Sequence, residues 1–298
     1  MKVTSRPARG LVLAFIGVLG LATFAAGAGR AADAPEAPAS AQDLRERYAA
    51  LKAEASSPFD LPLHLTSSQQ PGKLQGDIYS RLDHRYDAVR STLRWPARWC
   101  EIMILHPNVK GCRAVGSAGA DSGTLELRLG RAEYAVVFAF RVASAADDYL
   151  DVRLEAPKGP AGTTDYRIRV EATPLDGQRT LLRLAYSQGF GVQAKLAMDA
   201  YFGTFGRDKV GFSSTGRDAQ GRPQYVRDLR GGLERNAMRY YLAIRSHLEV
   251  PSLPGTQRLD EGLRRFVGYT ERWPLQLKEE PDFLDVKRRD IARMQPGS

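Results

Sequence analysis

His106 stands midway between Cys100 and Cys112, and this triplet is where residue types and spacing first point to chemistry in the 298-residue chain. An imidazole is the best general base by type, but no serine or cysteine nucleophile pattern accompanies it, and a packed or surface histidine is the simpler account. A Cys, His, Cys metal site lacks a fourth ligand at a recognisable spacing. Two cysteines separated by eleven residues are instead expected to pair as a Cys100–Cys112 disulfide in an oxidising compartment, with buried thiols as the alternative. A second set is Arg235, Asn236, Arg239 and Tyr240. At i, i+4 the two arginines share one helix face, and Asn236 and Tyr240 share the adjoining one. If that face looks inward, a guanidinium binds the carboxylate or phosphate head of a ligand; otherwise Arg239 pairs with a strand carboxylate such as Glu155 or Glu171, or faces water. Arg207, Asp208 and Lys209 form a charged turn, read as a salt-bridge cluster within a loop, with a bridge to Glu234 as the alternative. His64, His84 and His247 are scattered, and HExxH, GxSxG and GxxxxGK[ST] are absent, which weakens an enzymatic reading. No cofactor and no metal are indicated.

These residues need a scaffold, and the composition bounds it. Hydrophobic residues make up 43% of the chain and cysteines number two, which excludes a disordered chain and a disulfide-dense scaffold. The length allows one or two domains. Lys2, Arg6 and Arg9 precede an uncharged run at 11–28 that ends in Ala26, Gly27 and Ala28, so residues 1–28 read as a cleavable signal peptide, with an uncleaved anchor as the alternative. Cleavage would leave 40 Lys plus Arg against 34 Asp plus Glu, an excess of six. No basic stretch interleaved with aromatics is present, so nucleic acid is not expected. A merely soluble basic surface accounts for the excess, and where it has an electrostatic partner an anionic membrane surface is the better one; the expected location is the periplasm or the exterior.

Residues 29–72 read as an Ala/Pro-rich leader, a short amphipathic helix at 41–55 with Leu44, Tyr48 and Leu51 on one face, and a proline-punctuated linker from Ser56 to Gly72. The main body, 73–250, opens with a strand at 74–83. A helix capped by Asp83 and a second short helix beginning at Pro96 follow. From Gly116 the pattern alternates: Leu125, Leu127 and Leu129; Val136, Phe138 and Phe140; Leu150, Val152 and Leu154; Ile168 and Val170; Leu182 and Leu184. Such strands form an antiparallel meander with one wet face, and the apolar face needs a cover. The helix at 232–250 supplies one, with Leu233, Ala237, Tyr241, Ile244 and Leu248 in a stripe. A short helix at 192–206 and a strand or pair near 209–229 lie between. The tail, 251–298, is amphipathic. It is expected to pack on the body, with a lid or a docking segment for an envelope protein as alternatives.

Strand, two short helices, antiparallel strands and a long closing helix is the order of the START-like, or SRPBCC, helix-grip superfamily, which residues 74–250 resemble, most closely through DHRYDAVRSTLRWPARWCEIM and PNVKGCRAV. GRDKVGF and ERNAMRYYLAI also resemble an uncharacterised group of exported bacterial proteins. The superfamily resemblance implies an α+β fold in which a curved antiparallel sheet grips a C-terminal helix, with extra helices at both ends. It implies an apolar cavity of about 300 to 1,000 Å³ for a lipid or other hydrophobic small molecule, with Arg235, Asn236, Arg239 and Tyr240 as candidate ligand-binding residues. An enzyme of cyclase or hydrolase type on an apolar substrate, with His106 as its weak candidate, and a non-catalytic envelope interaction protein are the alternatives. The insertion near 192–205 and the tail depart from the minimal domain and put the cavity mouth in doubt.

Overall fold

Eight strands, every neighbouring pair antiparallel, form one curved sheet in the order β1-β2-β8-β7-β6-β5-β4-β3. The computed structural model describes residues 40–54, 62–117, 120–204, 206–271, 277 and 282–294, all within one compact unit. The expected signal peptide and the tail residues Trp273 and Leu275 lie outside the described residues. The strands are β1 (Leu63–Gln70), β2 (Lys73–Leu82), β3 (Val109–Val115), β4 (Ser122–Leu129), β5 (Tyr134–Ala145), β6 (Leu150–Lys158), β7 (Thr163–Pro174) and β8 (Thr180–Phe190). After β2 the chain runs through α2 (Tyr86–Leu93) and α3 (Pro96–Met103) to the far edge, and β3 to β8 then return as a meander. Register places Leu65, Ile78, Leu184, Val170, Val152 and Val142 in one row across six strands. That row faces inward because alternate residues of a strand share a face.

The inner face closes on α5 (Asp228–Leu248), as its stripe predicts: Leu233, Ala237, Tyr241, Ile244 and Leu248 are all buried. The helix is not wet on its back, however. Met238, Leu242, Ser246 and His247 are buried too, because α6 (Gly255–Glu271) packs along α5 and α7 (Phe283–Ala292) packs against α6 and β3. The sheet, α2, α3, α5, α6 and α7 share one core. Of the three expectations for the tail, packing on the body is the arrangement its described residues adopt. Residues 192–206 hold α4 (Val192–Gly203), followed by a separate hairpin of β9 (Ser214–Arg217) and β10 (Pro223–Tyr225).

Three expectations need correction. The described part of the supposed linker is β1, an edge strand paired along its whole length with β2 through a Pro71-Gly72 turn in which Gly72 has φ +74°. Its polar SSQQ end hid it, since an edge strand keeps one side in water. Asp83 does not cap α2; Arg85 holds the N-cap position without a side-chain bond. The outer sheet face is not uniformly wet, because α1 (Ala41–Glu54) covers part of it with Leu44, Tyr48 and Leu51 against Tyr79 and Leu181. Beside this cluster, register aligns Tyr79, Arg183, Glu171 and Asp151 across four strands. Arg183 bonds Asp77 and Glu171, and Arg169 bonds Asp151 at 2.8 Å, so these buried charges are paired.

Cys100 and Cys112 form a disulfide with a Cα–Cα distance of 5.2 Å, joining α3 to β3. Closing so short a loop restricts the unfolded chain by on the order of 3 kcal/mol. Cys112→Ser is therefore expected to lower urea-unfolding stability by about 2 to 4 kcal/mol, and wild-type protein in reductant should match it; equal midpoints with and without reductant would contradict this.

Candidate functional site

The inner surface is aliphatic over most of its area, but one end is aromatic and polar. There β5, β7 and β8 present Phe138, Tyr166 and Tyr186, α5 presents Tyr240, and the turn after α3 presents His106. The rings form a chain: His106 stacks on Tyr240 at 4.4 Å between centroids, Tyr240 lies 5.4 Å from Tyr186, Tyr186 lies 6.3 Å from Tyr166, and Tyr166 meets Phe138 edge-on at 6.4 Å. Tyr186 donates to Gln188 Oε1 at 2.8 Å and is also hydrogen-bonded to Asn236. Tyr166 and Thr163 share a hydrogen bond of 2.9 Å. Burial pushes the phenols of Tyr186 and Tyr240 far above the ordinary tyrosine value, so both stay neutral.

His106 is buried, and the disulfide brackets the loop that carries it. Burial first, then the positive charges of Arg239, Lys287 and Lys110, hold its imidazole well below the usual histidine value. Nδ1 accepts the Asn108 backbone N–H at 3.1 Å, so in the neutral ring the proton sits on Nε2. That nitrogen is buried and has no hydrogen-bond partner among the described residues. A buried donor left unmatched costs about 1 to 3 kcal/mol. With Nδ1 occupied and Nε2 protonated, His106 is equipped to donate a hydrogen bond to an oxygen, not to accept a proton as a general base. The disulfide removes the Cys, His, Cys metal reading, because both sulfurs are bonded to each other.

The structure separates the four α5 candidates by face. Asn236 and Tyr240 join the aromatic cluster. Arg235 instead donates to Val210 O at 3.2 Å and Leu277 O at 2.9 Å, and Arg239 donates to Leu277 O at 3.3 Å. Their shared face holds main-chain carbonyls, one of them in the tail. Glu155 and Glu171 do not figure in these bonds. In the charged turn Arg207 and Asp208 are exposed and 3.7 Å apart, a salt bridge within the loop, while Glu234 receives Phe212 N, Ser213 N and Ser67 Oγ.

The sequence pattern did not single out Tyr166, Tyr186 and Gln188. They lie in the right alternation, but only the fold shows that their end of β7 and β8 meets Tyr240. Nor did it mark Lys287, fully buried on α7, which donates to His106 O at 3.4 Å and to Val109 O and pairs with Asp290 at 3.2 Å. Burial pushes its ammonium down to about 8.

The end of the sheet bearing the cluster is roofed by α4. Ala194 approaches the Gly162 turn before β7, and the Phe202 ring lies against α5 where a Cβ on Gly232 would meet it at 2.4 Å. Gly232 precedes Asn236 by one helical turn, so α4 spans from the β6–β7 turn to the face of α5 that carries Asn236 and Tyr240.

A curved antiparallel sheet wrapped on one long helix, with two short helices between its first strands, is the helix-grip arrangement expected from the sequence. The fold is START-like. No family model matches the chain, and no match was found among curated proteins. Solved structures similar to it include a conserved protein from Geobacillus kaustophilus (14% identity, 59% of this chain and 95% of that one, TM-score 0.36), norcoclaurine synthase from Thalictrum flavum (10%, 49% and 82%, 0.34) and human StAR-related lipid transfer protein 5 (11%, 55% and 87%, 0.33).

His247, also buried, is pushed down to about 4, by burial above all. Histidines held neutral in the fold but free to protonate near 6.5 when unfolded leave stability intact above that pH and remove it as pH falls. For His247 the window runs from about 6.5 down to about 4, at up to about 1.4 kcal/mol per pH unit. Urea midpoints between pH 7 and pH 4.5 should fall, and His247→Gln should make the fall shallower; an unchanged slope would contradict the assignment.

Proposed function

We propose that this is an exported protein that binds and carries a hydrophobic small molecule of lipid type, held at the aromatic end of the space between sheet and α5, with an oxygen of the guest accepting from His106 Nε2. The Nε2–H of His106, buried against Tyr240 with no hydrogen-bond partner among the described residues, is the observation that carries this reading. The apolar surroundings suit a tail, and a neutral donor suits an ester, hydroxyl or acid oxygen. Entry falls beneath α4, where Met198, Phe202 and Tyr166 are only partly buried. Export is supported by the disulfide and by the signal-like residues 1–28.

Native mass spectrometry of gently purified protein should show a bound apolar small molecule. His106→Phe keeps the stacking and removes the unmatched donor together with the acceptor of the Asn108 N–H, so its folding stability should stay within about 1 kcal/mol of wild type while affinity for the recovered guest falls roughly tenfold or more. Protein that repeatedly carries no guest and takes up none of a lipid panel would end the reading.

The export part is tested separately. After expression with its own N-terminus in a Gram-negative host, intact mass from the periplasmic fraction should correspond to residues 29–298; full-length protein confined to the cytoplasm would overturn it.

A further inference from the structure

α4 has two apolar sides, and only one is used. Ala194, Met198 and Phe202, at i, i+4 and i+8, pack onto the body. The outward side carries Val192 at 78% exposure and Leu196 at 65%, with exposed Ala197, Ala200 and Gly203 between and beyond them and Tyr201 at 40% on the flank. Its two charged residues, Lys195 and Asp199, pair with each other at 2.6 Å along one border. On the other border Lys209 Nζ bonds the Tyr201 hydroxyl and lies 5.2 Å from the ring centroid. A helix of soluble proteins normally turns charge, not leucine and valine, to water.

We propose that the outward face of α4 docks on an anionic lipid bilayer, with Val192 and Leu196 entering the interface and Tyr201 with Lys209 at headgroup level. This rests on the proposed carrier function and adds where that carrier meets its donor or acceptor membrane. Three observations favour a bilayer. First, residues 192–230, which hold α4, the charged turn and the β9–β10 hairpin, contain seven Lys or Arg against four Asp or Glu, an excess complementary to anionic headgroups. Second, the border residues match the interface: tyrosine places its hydroxyl at the polar boundary, and a lysine stem reaches past apolar surface to water. Third, the patch is small. Twelve residues at 1.5 Å rise give a face about 18 Å long and roughly 180 Å² in area, far below the about 800 Å² per partner of a stable protein interface. Shallow insertion of a few large side chains needs no more than this. Beside α4 lies an open cleft of about 880 Å³ whose charged lining is Lys195, Arg227 and Arg230 against Asp199 and Asp228, so a small basic excess continues from the helix along the same side.

The test is flotation of the full chain, purified without its signal segment, with vesicles of phosphatidylcholine alone and with 30% phosphatidylglycerol. Wild type should float with the anionic vesicles and release in high salt. Leu196→Asp and Val192→Asp change exposed positions and should keep wild-type melting while losing at least tenfold in binding. His106→Phe should float as wild type does, so a failure of guest binding and a failure of docking read out separately. Equal flotation of Leu196→Asp and wild type would overturn the proposal, as would binding indifferent to lipid charge. Sedimentation showing a dimer that Leu196→Asp dissolves would assign the face to a second copy instead, and would equally overturn it.

Discussion

α5 is surrounded by protein, with the curled sheet on one side and α6 on the other, and this governs the molecule. Such a helix offers little water to most of its polar side chains, so many of them find partners on other elements. Glu234 gathers the N–H groups of Phe212 and Ser213 and the hydroxyl of Ser67; Arg235 and Arg239 take the carbonyl of Leu277; His247 lies 3.7 Å from Glu101 of α3. The helix that fills the concave side of the sheet therefore also fastens β1, the loop before the β9–β10 hairpin, the tail and α3. Residues that look like ligand contacts on a helical wheel are used as fasteners because the back of the helix is covered.

The outer face meets the same constraint with charges. Asp77, Arg183, Glu171, Arg169 and Asp151 are buried, and their pairing follows from strand register, with positive and negative groups brought opposite or diagonal across four strands. The net gain of such a ladder is modest, because loss of hydration offsets much of the attraction. Its consequence for register is larger: a slip of one residue would turn every one of these charges toward the apolar inner face.

One buried group without a partner among the described residues lies at the end of the sheet that α4 covers. In the inner cluster Tyr186 and Tyr166 are hydrogen-bonded, Nε2 of His106 has no partner among the described residues, and the same end is closed by a short helix with apolar residues on its outward side as well. Both features cost stability in an empty, isolated protein: a buried donor without an acceptor, and large aliphatic groups in water. The proposed guest and the proposed lipid surface would thus lie on the two sides of α4.

Alternation of Leu125, Leu127 and Leu129, of Phe138 and Phe140, and of Val152 and Leu154 was enough to read an antiparallel sheet, and the 233–248 stripe was enough to read its covering helix, because periodicity of burial is written locally. The compartment argument likewise paired Cys100 with Cys112. β1 was not legible, since an edge strand with one wet side looks like polar linker. The separation of Arg235 and Arg239 from Asn236 and Tyr240 was legible as two helix faces, but not which of them looked inward. Residue order determined the elements, their sequence and the apolar side of each. Only the tertiary structure decided that α6 covers the back of α5, that four strands align a ladder of charge, and that His106 meets Tyr240, because these depend on which surfaces converge across long separations in the chain, and no local pattern carries that distance.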